Sequence, residues 1–275
     1  DGKQASRVSA VYDATPRRSF VVALKDVPEL WEISYDPAAE PIHDGYVHDY
    51  RMGESIAKPG FQGVRRTPLE EPLDDFFFDQ TYTYVLGATR PRQSAPAEGA
   101  TAQVVNLNIR RKVADLPIAG MPHLGSGITF AWNGTTVLAS PNLQGGAIDV
   151  VDMKSWKPVR TIATPGPGFF MRSHENTPFA WTDSMMSPTG KDTLTIIDKR
   201  TLEVVAKVRE PGKTLAHIEF TKDGRYALAS VWEMDGAVVV FDAQTFKEVK
   251  RLPMSKPVGK YNVWNKITRS EGTSH

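Results

Sequence analysis

The 275-residue sequence contains no cysteine. That excludes disulfides, thiolate metal sites, thiol nucleophiles and a covalently attached c-type haem, all of which need a thiol, and it leaves the redox compartment open. An excess of charge of one sign is also missing. The 33 Lys and Arg against 32 Asp and Glu give a net charge of +1, which offers no electrostatic basis for binding nucleic acid or an anionic membrane surface. No run approaches the roughly 18 unbroken apolar residues of a membrane helix, and no secretory leader is read at the start of the sequence. Long stretches free of helix breakers are scarce too. The 21 glycines and 20 prolines suit a turn-rich β architecture and work against long helices.

What is present is a repeat. Two apolar residues, an Asp, two variable positions, Ser or Thr, a large apolar residue, two further variable positions and Val recur at Asp152, Asp198 and Asp242, spaced by 46 and 44 residues. A weaker copy centres on Asn106, 46 residues before Asp152. A period of roughly 40–50 residues filled with short β-runs is the signature of propeller blades, each a four-stranded sheet. Helical repeats would show apolar residues at 3.6 spacing instead. The recurring Asp is expected to start a turn, because its side chain can bond backbone two residues on. The fold class expected is therefore all-β, a β-propeller.

The same reading places strands at 7–12, 19–24, 30–36, 76–78, 82–86, 128–132, 148–151 and 157–163. Residues 37–73, rich in Pro, read as a long insertion loop, and 93–100 as a polar loop. Further units begin near His123, Ser173 and His217, and 257–265 reads as one more strand. At about 45 residues a blade, less the insertion, the chain supplies five to six blades of a single propeller domain.

His123, His174 and His217 stand 29, 24 and 25 residues before the closing Asp of their units, where first strands begin. Imidazoles there can act as acid or base near neutrality. Gly125 and Gly127 do not open a helix, so a dinucleotide fingerprint is excluded; tight turning beside a bulky ligand accounts for them better. Phe169, Phe170, Trp181, Met185 and Met186 are candidate apolar cover for a flat ligand, although aromatics in blades are commonly sheet core. Trp232 and Trp264 read as packing residues. His43, His48 and His275 have no metal-ligand spacing, and no metal site is expected.

Pro122-His123 followed by Gly125-Ser-Gly127, Ser173-His174, Ser230-Val-Trp232 before 237–242, and the ending 259–265 together resemble the d1-haem domain of cytochrome cd1 nitrite reductases. Residues 50–54 with 65–79, and the end 270–275, are similar to the related d1-haem biosynthesis proteins of the NirF type. This resemblance implies an eight-bladed propeller with a d1-type haem or its precursor in the cavity. It also implies that the sequence corresponds to the C-terminal five to six blades, with the iron-ligating histidine outside it. His123 and His174 match histidines that face the open side of the macrocycle, and are the catalytic candidates. His217 matches a cavity-facing polar position. Arg7 and Arg17 align with arginines of the d1 domain, and Arg172 is expected near the cavity mouth; guanidinium groups suit the ring carboxylates. Arg51, Arg65 and Arg66 lie in the insertion.

Three functions are compatible with that picture. The first is an enzyme that oxidises or reshapes a substituent of a late d1-haem precursor, and the second is a non-catalytic carrier of that precursor. The third is a propeller that serves protein interaction alone. The resemblance further implies a periplasmic protein, lipid-anchored through a segment outside this sequence, with other d1-haem biosynthesis proteins and nitrite reductase as partners. Nitrite reduction itself is disfavoured, since no Cys-x-x-Cys-His is present to receive electrons through a c-type haem.

Overall fold

A computed structural model describes residues 4–43, 57–89 and 102–259. The repeating turn organises what is seen. At Asp152 the carboxylate Oδ1 accepts the N–H of Lys154 at 3.1 Å and of Ser155 at 2.6 Å; Asp198 takes those of Arg200 and Thr201 at 2.6 and 3.1 Å, and Asp242 those of Gln244 and Thr245 at 3.0 and 2.8 Å. Asn106 does the same for Asn108 and Ile109 at 2.9 and 3.2 Å. The chain then turns back through a left-handed residue in each copy, Arg110, Trp156, Leu202 and Phe246, with φ of 53°, 59°, 58° and 61°. All four copies close the third strand of a sheet.

Among the described residues there are five four-stranded sheets and one two-stranded ribbon. The first sheet contains β1 (Val8–Ala14), β2 (Ser19–Leu24), β3 (Glu29–Ser34) and β6 (Val64–Pro68); the ribbon is β4 (Ile42–His43) with β5 (Ala57–Lys58). The second has β7 (Asp75–Phe78), β8 (Tyr84–Ala88), β9 (Ala102–Asn106) and β10 (Arg111–Leu116). The third follows as β11 (Ile128–Trp132), β12 (Thr135–Pro141), β13 (Ala147–Asp152) and β14 (Pro158–Ala163). The fourth is β15 (Met171–Ser173), β16 (Phe179–Thr182), β17 (Thr193–Asp198) and β18 (Glu203–Arg209). The fifth is β19 (Leu215–Phe220), β20 (Tyr226–Val231), β21 (Ala237–Asp242) and β22 (Glu248–Pro253). These are the blades of the all-β, propeller-type fold that the repeat implies.

One expectation changes. Residues 37–73 are not all loop, because β6 pairs antiparallel with β3 and supplies the fourth strand of the first sheet. Its Val-Arg-Arg-Thr-Pro sequence carries little apolar alternation because this edge strand is only partly covered, with Thr67 alone buried. Residues 44–56, 90–101 and 260–275, with Arg51, His48, Trp264, His275, the polar loop and most of the final strand, lie outside the described residues.

The described residues divide into two compact units, those within Asp1–Arg90 with Gln103–Val113 and those within Pro91–Ala102 with Ala114–His275. In the first, strand alternation turns Ala14, Val21, Ala23 and Leu30 toward Leu73, Phe76, Val85 and Val105. In the second, Ile128, Val137, Ile148 and Val150 pack on Met171, Ala180 and Ile197, while Trp181, Leu194 and Ile196 pack on Ile218, Phe220 and Val239. Each interface is a layer of β-branched and aromatic side chains between two sheet faces, the arrangement that period-2 alternation produces.

Candidate functional site

In the second unit, chemistry gathers where first strands begin. His123 precedes a 3-10 turn, Leu124–Ser126, that leads into β11. Its backbone N–H donates to the Pro141 carbonyl at 2.8 Å and its carbonyl accepts from Ser126 N–H at 3.0 Å. The ring Nδ1 lies 2.6 Å from the carbonyl oxygen of Phe169. A carbonyl only accepts, so the tautomer that satisfies this contact carries its proton on Nδ1. The His123 ring also packs on Phe169 with centroids 4.2 Å apart.

Phe169 and Phe170 lead into β15, are half-buried, and have ring centroids 4.7 Å apart. Phe170 then meets the His217 ring at 4.3 Å, edge to face, and His123 at 6.4 Å. His217 belongs to β19, where the pairing with β20 shifts register between Ala216 and Glu219. It takes a left-handed backbone conformation, φ 51°, inside a strand. The bulge changes the direction of the local side chains. Thus Phe170 stands between two imidazoles that come from different sheets.

Asp183, just past β16, holds this arrangement from below the surface. It is fully buried. Its oxygens accept the backbone N–H of Phe169 at 2.8 Å, Phe170 at 3.3 Å, Met185 at 3.4 Å and His217 at 3.3 Å. Burial pushes its carboxyl up to about 6, against the opposing pull of those amides. Nothing in the sequence singled Asp183 out. The signal that could have found it is positional, since Asn142 just past β12 accepts from Met121 N–H at 3.2 Å and Glu233 just past β20 from Thr214 N–H at 2.9 Å. Uneven loops hide that equivalence from the 44–46-residue period.

His174 was expected to converge with His123, and the structure does otherwise. His123 contacts the residues before β15, whereas His174 follows the last residue of β15. At roughly 3.3 Å per residue the five extended steps from Phe169 to His174 span about 16 Å. His174 Nε2 donates to the Lys222 carbonyl at 3.1 Å, Nδ1 accepts from Asn176 N–H at 3.1 Å, and burial lowers the imidazole's pKa. Gly224, with φ +72°, lies so close that an added Cβ would fall 2.4 Å from Nδ1. His174 is thereby built into the packing against the β19–β20 turn.

The arginines are committed to protein partners. Arg7 forms a bidentate pair with Asp26, at 2.6 and 3.1 Å, with 72% of its side chain exposed. Arg17 grips Glu32 at 2.8 and 3.0 Å and Asn108 at 2.8 Å. Arg172 is not at a mouth but buried, donating to the Met171 carbonyl at 2.8 Å and standing 3.8 Å from Glu219. Alternation accounts for the burial of Arg172: Met171 packs toward the third sheet, which turns Arg172, beside its cross-strand neighbour Trp181, toward the fifth. Arg65 donates to the Glu40 carbonyl, and Arg66 pairs with Glu29.

Gly127 is required by packing, since a Cβ there would meet Leu138 at 2.9 Å and the Ala139 carbonyl at 3.1 Å; Gly125 lies within the adjoining turn. Trp181 is core, as aromatics in blades commonly are, while Met186 and Trp232 are 52 and 38% exposed. Trp232, just past β20, is thus only partly covered. Among the described residues no group of three His, Asp or Glu is arranged to hold a metal ion. No helix there is long and apolar enough to cross a membrane.

Comparison with known proteins bears on this geometry. Residues 1–48 and 58–266 match the model of the cytochrome D1 heme domain family. A dihydro-heme d1 dehydrogenase of Pseudomonas aeruginosa is 49% identical over 273 residues, 99% of this chain and 50% of that protein. The chain thus spans about half the length of this curated relative. A solved structure described as dihydro-heme d1 dehydrogenase NirN in complex with DHE superposes with a TM-score of 0.81 at 49% identity, covering 96% of this chain and 51% of that one. Hydrazine synthase of Kuenenia stuttgartiensis shares the fold, with a TM-score of 0.59 at 15% identity, over 92% of this chain and 69% of that one. With most of its length matched by the family model and its blades arranged as the repeat requires, the chain belongs to the cytochrome d1 haem domain family.

Proposed function

We propose that this chain forms part of a d1-haem biosynthesis protein that binds a late, dihydro-haem d1-type precursor and dehydrogenates it, with His123 and His217 as the groups that meet the ring. The observation that carries this reading is the Phe169–Phe170 step flanked by the two imidazoles. Aromatic faces and edges suit a flat macrocycle and exclude water from it. Imidazoles beside it can take up or return protons near neutral pH. Dehydrogenation of a saturated carbon–carbon bond releases two electrons and two protons. The two electrons pass one at a time to two equivalents of a one-electron acceptor, and His217 receives one proton while solvent water takes the other. His123, fixed through Nδ1 to Phe169, orients the ligand by hydrogen bonding.

The 49% identity to a dihydro-heme d1 dehydrogenase favours this chemistry over a NirF-type role. The NirF-type likeness rests on 65–79, within the described residues, and on 50–54 and 270–275, outside them. His174 acts in this reading as a packing group rather than a proton carrier. Arg172 faces Glu219 of the neighbouring sheet at 3.8 Å, and like Arg7 and Arg17 it serves the ligand only by exchanging its present carboxylate partner for one of the ring's. The protein would act in the periplasm, supplying nitrite reductase maturation together with other d1-haem biosynthesis proteins.

The test follows the optical spectrum of dihydro-haem d1 bound to the protein in the presence of a one-electron dye acceptor. His217→Ala is expected to keep ligand affinity within about tenfold and to lower turnover roughly a hundredfold or more, the scale of general acid–base catalysis. If the wild type binds the precursor and returns it unchanged with acceptor present, a carrier role replaces the enzymatic one.

A further inference from the structure

We propose that Asp183 is a positioning residue that couples the aromatic step to His217, holding the imidazole in a working orientation that its own strand would not give it. The three equivalent side chains past second strands show why Asp183 stands apart. Asn142 accepts from Met121 and from the turn that follows Asn142 itself, and Glu233 accepts from Thr214. Each ties the start of a first strand to its own sheet. Asp183 does this for Phe169 and Phe170, and in addition reaches across to the His217 N–H of the fifth sheet at 3.3 Å.

The residue it reaches is also the one that needs holding. Left-handed backbone is disfavoured for a residue with a Cβ, and such conformations persist where the surroundings over-determine them, commonly at functional sites. His217, at φ 51°, sits in a strand whose register breaks around it, and one of its fixed points is the Asp183 carboxylate. Phe170, the other face of the His217 ring contact, is fixed by that same carboxylate. One buried group therefore sets both the imidazole's backbone and the ring it leans on. A raised carboxyl pKa agrees with a group kept in a costly environment.

The inference rests on His217 facing the ligand, so the decisive readout is taken without ligand. His217's ring resonances, assigned through His217→Gln, are followed by NMR in the wild type, in Asp183→Asn and in Glu233→Ala. Asp183→Asn is expected to shift the His217 signals while leaving those of His174 in place, and Glu233→Ala, which loosens the same strand at Thr214, is expected to leave His217 unmoved. With dihydro-haem d1 and acceptor, Asp183→Asn should lower turnover about tenfold or more with affinity changed less than threefold. Unshifted His217 signals in a folded Asp183→Asn overturn the proposal, as does wild-type turnover in that variant. If Asp183→Asn does not fold, Asp183→Ser, whose hydroxyl still accepts one amide, takes its place under the same criteria, and loss of folding in both makes Asp183 purely structural and overturns it. Failure of the dehydrogenase reading would appear separately, as an inactive wild type whose His217 signals still respond to Asp183.

Discussion

Asp183 and His174 show how two buried titratable groups on one sheet pull stability in opposite directions. The Asp183 carboxyl is raised from 3.8 to about 6 in the fold. The native state then holds a proton that the unfolded chain has already released, so stability falls as pH rises from 3.8 through 6. The contribution is on the order of 2–3 kcal/mol for a shift of about two units. His174, lowered by burial, works the other way: its neutral form is stabilising above the unfolded value and that gain is lost as pH falls. Comparing wild type with Asp183→Asn removes every group but Asp183. In urea unfolding at pH 4.5 and pH 7, the variant's stability relative to wild type is expected to improve at the higher pH; an unchanged difference would mean that Asp183 does not titrate with folding. Left-handed His217 adds its own cost, of order 1–3 kcal/mol for such a residue, beside the same carboxylate.

Among the elements, the Asp turn is the part the sequence stated openly. Its two amide bonds, the left-handed residue and the returning strand recur because an Asp or Asn side chain imitates a turn carbonyl. Asp198→Ala removes acceptors for Arg200 and Thr201 and is expected to cost about 1–2 kcal/mol in urea unfolding, while Asp198→Asn should cost much less, as the turn at Asn106 implies. Equal losses for the two variants would assign the effect to charge rather than turn geometry. The third strands before these turns were legible because they are buried and apolar. Edge strands such as β6 and β22 were harder to see: β22 is exposed along its whole length, so no burial selects its side chains. The site was legible in part. His123, His217, Phe169 and Phe170 were all marked, but their grouping depends on a bulge at His217 and on a buried Asp183, neither of which carries a spacing signal. His123 and His174 lie apart because 29 and 24 residues before a repeat marker do not say at which end of a short strand each residue falls.

At the scale of the whole molecule, each unit keeps an apolar layer between its sheets, and the first sheet has a second apolar face besides. Val11, Val22 and Trp31 form one row across it, and Phe20, Ile33 and Val64 the next. Val8, Val11 and Phe20 are 55, 52 and 45% exposed. Contiguous apolar surface of this kind promotes association. The chain by itself is expected to self-associate as concentration rises in sedimentation experiments, and Val11→Lys with Phe20→Lys is expected to suppress it. Association undiminished by both changes would assign the contact to another surface. The second unit is joined differently, since its fourth and fifth sheets share a carboxylate as well as a core. The neighbouring amides of Phe169 and Phe170 and, far along the chain, that of His217 end on Asp183. Deuterium can reach them through the loss of a single acceptor, so solvent isotope would enter two sheets at one common rate, and the opening of one strand's end would be felt in its neighbour before either sheet unravels.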